Sequence, residues 1–210
     1  MRKNSFVEGE YYHVFNRGVD KRIIFPKEED FQRFLISMKE FNDIKPIGSI
    51  YENSFRKKKN RKSKPLIEFI AYCLNPNHYH FLLKQVAENG IPRFMQRLGN
   101  GYTKYFNEKY KRSGVLFQSK FKSVHVKSNE QLFYLSAYVN FNYLVHGLGH
   151  RMSKSSLWEY MKGDEKSEEK ICHIKIISAQ IPNSEKYQQM ARETAQFIAE
   201  KRRDENVILE

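Results

Sequence analysis

The strongest constraint on the fold is a pair of β-prone runs joined by a short turn. Leu66–Leu74 is apolar apart from one acidic residue, and His78–Lys84 is largely aromatic and apolar. Between them lie Asn75, Pro76 and Asn77, residue types that favour turns. Two such runs at this spacing predict a β-hairpin, and therefore an antiparallel sheet around it.

The segments on either side of this hairpin alternate between strand and helix patterns. Tyr11–Phe15 and Phe117–Val126 predict further strands. Helices are predicted after Pro26, from Ile91, and after Ser128, which has capping-box spacing. The resulting order predicts an α+β fold near the ferredoxin-like motif, with a mainly antiparallel sheet and helices packed on one face.

Positive charge is concentrated in one part of the chain. The 210 residues include 37 Lys and Arg against 24 Asp and Glu, a net charge of +13. Residues 151–210 hold 11 basic and 11 acidic residues, so residues 1–150 carry the whole excess. This predicts a polyanionic partner, either nucleic acid or an anionic membrane surface, for a domain over 1–150. Residues 151–210 are expected to form a mixed-charge appendage, helical over Ser184–Asn206.

Other features bear on the cellular setting. Cys73 and Cys172 lie far apart, which argues against a disulfide framework and a cysteine-built zinc site. No apolar run reaches the ~20 residues of a membrane span, and no leader-peptide pattern is visible before Glu8. Seven of the nine residues in Arg56–Lys64 are basic, which predicts a mobile loop.

His78 and His80 are the sharpest local feature. Residues i and i+2 of a strand share a face, so both imidazoles are expected to point the same way. Two neutral imidazoles on one face can hold a metal ion that needs only one or two more oxygen ligands. The alternative is a pair of unrelated strand histidines.

A second constellation lies on the helix predicted after Ser128. Tyr138 and Asn142 are four residues apart and therefore neighbours on one helical face. A tyrosine there can act as a nucleophile when a metal neutralises the phosphate that it attacks, and the amide oxygen can be a third ligand. Alternatively, Tyr134, Tyr138 and Tyr143 are half-buried packing aromatics.

A basic stripe follows the helix that begins at Ile91. At about 100° per residue, Arg93, Arg97, Asn100 and Lys104 fall within a narrow arc. The stripe indicates either contacts with phosphate groups or a solvated helix face.

These residues occur within five motifs that have the order of a known family. The motifs read YHVFNRG (Tyr12–Gly18), NHYHFL (Asn77–Leu82), YTKYFN (Tyr102–Asn107), GVLFQSKFKS (Gly114–Ser123) and YVNFN (Tyr138–Asn142). Over roughly residues 8–148 the chain resembles the single-tyrosine HUH transposases, most closely the REP-associated tyrosine transposases.

The resemblance implies a ferredoxin-like HUH nuclease fold acting on single-stranded DNA, usually at a hairpin-flanked site. It implies that His78, His80 and Asn142 bind Mg²⁺ or Mn²⁺, and that Tyr138 forms a 5′-phosphotyrosine. Tyr143 stands where relatives carry proline, which predicts a helix without a kink. The predicted DNA contacts are Arg17, Arg93, Arg97, Lys104, Gln118, Lys120 and Lys122.

Two other functions fit the same residues. A catalytically idle DNA-binding regulator would need neither the metal nor Tyr138. A metal-dependent hydrolase would use the histidine pair with water as the nucleophile and would leave no covalent protein–DNA bond. The expected partner is single-stranded or hairpin DNA with no membrane, a homodimer is left open, and the expected location is the cytoplasm at the nucleoid.

Overall fold

A five-stranded sheet forms the centre of the computed structural model, which describes residues 6–50, 64–162, 170–181 and 183–206. The strand order is β4-β1-β3-β2-β5, and each pair of neighbours is antiparallel. The predicted hairpin is confirmed, because β2 and β3 pair around the turn at residues 76–77. The strands are β1 (Tyr11–Arg17), β2 (Ile67–Asn75), β3 (His78–Gln85), β4 (Lys122–His125) and β5 (Lys154–Ser155).

The helices begin at the caps that the sequence supplies. Asp30 accepts a hydrogen bond from the Lys27 amide (2.9 Å), and Ser128 Oγ accepts one from the Gln131 amide (3.2 Å). Within the described ranges, the helices are α1 (Glu28–Glu40), α2 (Gly90–Lys109), α3 (Asn129–Asn140), α4 (Asn142–Val145), α5 (Leu157–Met161), α6 (Lys175–Ser178) and α7 (Ser184–Asn206).

One face of the sheet, the first face, packs against α1 and α2. Its core is strongly aromatic, and Phe34 of α1 lies fully buried among the rings of Phe25, Tyr79 and Tyr102. Gly101 lets α2 approach closely, because a Cβ there would lie 2.6 Å from the Phe41 ring. The contacts between these rings pack α1 and α2 tightly against the first face.

The opposite face, the second face, packs against α3 and the helices that follow it. Ala71, Cys73 and Leu82 point to this side and pack with Val139 and Ile198 in a second core. The α+β class and the antiparallel sheet are therefore confirmed, but helices cover both faces rather than one. The reason is that successive strand residues point to opposite faces, and both sets here are apolar.

The C-terminal residues contribute directly to the second face. Ser155 pairs with Cys73 in the sheet, and the Tyr160 hydroxyl donates to the Ile70 carbonyl (2.7 Å). The Tyr187 ring of α7 stacks on Tyr160 with 4.5 Å between ring centroids. The predicted helix over 184–206 is confirmed. The predicted boundary near residue 150 stays a prediction, although both sides of it share this core.

Two further sequence features concern the surface. None of the helices in the described ranges is long and apolar enough to cross a membrane. The basic run Arg56–Lys64 lies outside the described residues, except for Lys64, which is exposed.

Candidate active site

Strand β3 places His78 and His80 on the second face, as the sequence predicts. Phe15 and Arg17 of β1 are their partners across the sheet. Another histidine joins them: His13 Nε2 lies 2.9 Å from His80 Nδ1, and both rings are buried. Binding a metal through Nε2 of His80 requires the proton on Nδ1, and His13 is then its acceptor. Sequence reasoning missed His13, although it lies two residues from Phe15 on the same strand face.

The His78 ring is fixed by two asparagines. His78 Nδ1 lies 2.7 Å from Asn77 Oδ1, which can only accept, so Nδ1 carries the proton. His78 Nε2 then accepts from Asn75 Nδ2 at 2.8 Å. The Asn75 amide is oriented in turn by Ser153, whose hydroxyl donates to Asn75 Oδ1 (2.7 Å). His78 therefore presents an unprotonated Nε2.

Asn142 reaches this site because the helix that carries Tyr138 breaks just before it. The backbone at Phe141 (φ −107°, ψ 20°) ends α3, and α4 begins at Asn142. The expectation of an unkinked helix is therefore wrong, since a break forms without proline. Asn142 is completely buried, and its Oδ1 lies 3.2 Å from His78 Nε2. Its Nδ2 has no hydrogen-bond partner among the described residues.

His146 completes a cluster that sequence reasoning did not find. His78, His80 and His146 each offer a ring nitrogen within 4.8 Å of the others. The rings of His78 and His146 have centroids 4.5 Å apart. The sequence does contain a signal for His146, because it follows Asn142 by four residues and such residues lie on the same side of a helix.

Burial keeps these imidazoles neutral. It lowers the pKa of His13 to about 4. His146 is exposed as a whole residue, but loss of water around its ring and the neighbouring His78 lower its pKa to about 4 as well. Burial and the neighbouring His13 hold the pKa of His80 well below its usual value. Burial also lowers the pKa of His78. Neutral imidazoles have lone pairs for a cation, so the donor set fits a divalent metal ion.

Tyr138 of α3 stands edge-on over this cluster. Its ring centroid is 5.5 Å from that of His80 and 5.7 Å from that of His13. The Tyr138 hydroxyl accepts a hydrogen bond from Arg202 Nη2 (3.1 Å). The ring borders a cavity of about 460 Å³, the tyrosine cleft, lined by His13, Phe15, His80, Val124, Tyr134, Leu135, Tyr138, Ile198, Lys201 and Arg202.

Several predicted DNA contacts lie around another cavity. It has a volume of about 920 Å³ and is lined by Lys104 of α2, by Lys120, and by polar groups including Asn16 and Asn100; we call it the lysine groove. Beside it, Arg17 Nε donates to Gln118 Oε1. Lys122 is exposed on β4, the edge strand.

The structure divides the predicted basic stripe. Arg93 donates to the Ile44 carbonyl (2.8 Å), and Arg97 donates to the carbonyls of Asp43 and Ile44. These guanidinium groups hold the loop after α1, whereas Lys104 faces the lysine groove. A DNA-binding role for Arg93 and Arg97 stays a prediction.

Comparisons with known proteins bear on this arrangement. Residues 44–142 match the family described as "Transposase IS200 like". This segment of the chain is similar to the IS200-like transposases. The resemblance to the single-tyrosine transposases is thereby confirmed. The matched segment contains His78, His80, Tyr138 and Asn142 but ends before His146 and α7.

Two solved structures are similar to this chain, and the first of them supports the fold. One is a REP-associated tyrosine transposase bound to a REP hairpin, with a TM-score of 0.53 at 10% identity over 83% of this chain and 92% of that one. Another is a putative transposase from Deinococcus radiodurans R1, with a TM-score of 0.39 at 14% identity over 62% and 90% of the two chains. No curated protein matches the sequence.

Proposed function

We propose that this transposase-family protein cleaves and rejoins single-stranded DNA at hairpin-associated sites through a 5′-phosphotyrosine on Tyr138. The observation that carries the proposal is the position of the Tyr138 ring directly against His80, within a cluster of neutral imidazoles. A tyrosine that served only for packing would be expected to have apolar neighbours rather than unprotonated imidazole nitrogens. The proposed nucleophile and a proposed metal ligand therefore share one wall of the tyrosine cleft.

The metal ligands that we propose are His78 Nε2, His80 Nε2 and Asn142 Oδ1, with His146 as an additional donor. Bound Mg²⁺ or Mn²⁺ would act as a Lewis acid on the phosphate. Asn77 holds the His78 ring, and His13 holds the His80 ring. Asn75 Nδ2 donates to His78 Nε2 and Asn142 Oδ1 in this structure and would yield these lone pairs to the metal. Groups that orient metal-binding histidines in this way fix the tautomer that can bind.

The proposed reaction is a displacement at phosphorus. The Tyr138 oxygen forms a bond to the phosphorus and loses its proton, while the bond from phosphorus to the leaving 3′-oxygen breaks. That oxygen gains a proton and becomes a 3′-hydroxyl. The reverse step joins a 3′-hydroxyl to the phosphate without another energy source, because the phosphotyrosine keeps the bond energy.

The proposed DNA surface is the lysine groove together with Arg17, Gln118 and Lys122. Lys104 and Lys120 lie on its walls, and DNA phosphates would neutralise them. The fold relative with a REP hairpin shows that this fold accommodates such a ligand in another protein. A hairpin-associated strand is therefore the substrate that we propose.

A suicide oligonucleotide, nicked near its cleavage site so that the leaving strand diffuses away, tests the nucleophile. The wild type should form an adduct that survives denaturing electrophoresis, and peptide mapping should place it on Tyr138. Tyr138→Phe should lose the adduct yet bind the DNA normally. Tyr134→Phe is the matched control, because Tyr134 lies one turn earlier and is 45% exposed. Adducts on Tyr134 would contradict the assignment.

Other outcomes separate the alternative functions. Free 5′-phosphate ends without an adduct would indicate the hydrolase that uses water. Hairpin binding with neither product, in the presence of Mg²⁺ or Mn²⁺, would indicate the idle regulator.

The metal assignment has its own test. Paramagnetic resonance of Mn²⁺ should report binding to the wild type and at least about tenfold weaker binding to His78→Ala and His80→Ala. Unchanged Mn²⁺ affinity in both variants would reject these ligands, whatever the activity.

A further inference from the structure

Helix α7 brings a cation to the nucleophile. Arg202 Nη2 donates to the Tyr138 hydroxyl at 3.1 Å, and the Arg202 Cζ lies 5.4 Å from the centre of the Tyr138 ring. The matched family segment ends at residue 142, so it does not include this arginine. The charge balance of residues 151–210 gave no sign of it either.

The sequence of α7 explains why Arg202 stands there. Tyr187, Ala191, Ala195 and Ile198 recur at spacings of four, four and three residues and are all buried in the second core. Arg202 follows Ile198 by four residues and therefore continues the same buried stripe. A charged residue at that position extends beyond the apolar core into the tyrosine cleft.

No acidic partner accompanies this charge. Among the side chains that the structure describes, which do not include those of residues 204–206, no carboxylate lies within ion-pair distance of Arg202, and the lining of the tyrosine cleft contains no Asp or Glu. Lys201 adds another basic residue to the lining. A cation beside a tyrosine hydroxyl and a metal-binding cluster, without a carboxylate, calls for an anion from outside the protein.

The field of Arg202 reaches the imidazoles as well. Burial is the largest cause of the lowered pKa of His13, and the charge of Arg202 lowers it further. The same charge contributes to the lowered pKa of His78, His80 and His146. Arg202 is therefore close enough for its charge to act on these imidazoles, and it lines the tyrosine cleft together with His80.

We propose that Arg202 is a catalytic residue that binds the phosphate attacked by Tyr138. This inference rests on the proposed function. Without DNA, the guanidinium donates to the Tyr138 oxygen. When the phosphate enters, the planar fork donates to its non-bridging oxygens and neutralises the charge that develops there. The C-terminal segment thus supplies part of the active site.

An equilibrium experiment tests phosphate binding without chemistry. In Tyr138→Phe protein treated with EDTA, an oligonucleotide with a 5′-phosphate should bind about tenfold more tightly than the same oligonucleotide with a 5′-hydroxyl. Adding Arg202→Gln should remove this preference. Arg203→Gln is the matched control, because Arg203 donates to the Ala199 carbonyl of its own helix, and it should keep the preference. A preference that survives Arg202→Gln would overturn the proposal.

A kinetic experiment tests the same residue with Tyr138 intact. With DNA at a saturating concentration, Arg202→Gln should lower the rate of adduct formation by about 10²–10³-fold while thermal unfolding stays unchanged. Arg202→Lys should recover part of the rate, since a lysine keeps the charge but not the fork. A faster rate in Arg202→Gln would show that the guanidinium blocks Tyr138, and would overturn the proposal. If the wild type forms no adduct, the proposed function fails, and the equilibrium experiment still decides the role of Arg202.

Discussion

The two faces of the sheet both bury polar side chains, but these side chains differ in their hydrogen-bond partners. On the first face the buried acid Asp30 accepts hydrogen bonds from Lys109, Tyr105 and Tyr110 at 2.6–3.0 Å. On the second face the buried imidazoles have amide and imidazole neighbours but no acid within the described residues, and Asn142 keeps an unpartnered Nδ2. The charge of Asp30 on the first face is matched internally, whereas Asn142 on the second face leaves a donor without a partner beside the imidazoles.

This difference suggests that the first face serves mainly stability and the second face mainly the reaction. Internally matched polar groups rigidify a layer, because every group already has its partner. Unmatched groups lower stability and are kept where a metal or substrate supplies the missing partner. The first face also forms most of the lysine groove, so we expect it to hold the DNA while the second face cuts it. The following predictions test this division.

The largest effect is expected in the aromatic core of the first face. Phe34→Ala removes a ring that has no exposed surface, and should lower the free energy of unfolding by about 3–5 kcal/mol in denaturant titrations. Adduct formation per folded molecule should stay at the wild-type rate, because the cavity lies across the sheet from Tyr138. A proportional loss of the adduct rate would show that the two faces are coupled.

A pH effect should appear first on the second face. With metal removed, burial lowers the pKa of folded His13 to about 4, whereas unfolded His13 takes up a proton below its usual pKa of 6.5. The unfolded state then binds more protons, so stability should fall by about 2 kcal/mol between about pH 7 and pH 5 from this residue alone. On the first face, burial would raise the pKa of Asp30, but hydrogen bonds from Lys109, Tyr110 and Tyr105 outweigh burial and lower it below its usual value of 3.8. The stability that depends on Asp30 should therefore be lost only below about pH 3.8.

Urea unfolding at the two pH values measures this dependence. His13→Leu should show a smaller decrease than the wild type. Equal slopes in the two proteins would contradict the assignment to His13.

A smaller effect should distinguish two buried tyrosine hydroxyls. Tyr187→Phe leaves Asn140 Nδ2 without its acceptor at 2.7 Å and should cost about 1–2 kcal/mol. Tyr102→Phe, on the first face, removes the bond to the Ile24 carbonyl (2.7 Å) at a similar cost. Only Tyr187→Phe should also slow adduct formation, because Asn140 links α3 to α7. Equal adduct rates in the two variants would show that this link does not position Tyr138.

The smallest effect should appear in the salt dependence of DNA binding. Lys104→Gln or Lys120→Gln should reduce the slope of log affinity against log salt by about 1 each, measured by fluorescence anisotropy with a hairpin oligonucleotide. Lys186→Gln, an exposed lysine of α7, is the control and should keep the wild-type slope. At saturating DNA all these variants should form the adduct normally. An unchanged slope in the groove variants would place the DNA elsewhere.

The sequence by itself determined the local pieces of the fold and half of the site. The residues around Asn75–Asn77 predict the hairpin, alternation along β3 places His78 and His80 on one face, and Ser128 begins α3. These features depend on neighbours within a few residues, so their spacing is enough to predict them. Five ordered motifs extended them to the family assignment, which is confirmed over residues 44–142.

Only the tertiary structure decided what comes together across long separations. His13 meets His80 through strand pairing, His146 reaches His78 through the break at Phe141, and Arg202 meets Tyr138 through the packing of α7. Arg93 and Arg97 lie on the same side of α2 as Lys104, but they donate hydrogen bonds to backbone carbonyls of the loop after α1. Their own helix does not reveal these partners. Periodicity gives the direction of a side chain from its own element. Which partner lies there depends on how the elements pack, because contacts between distant residues are fixed by the burial of whole faces.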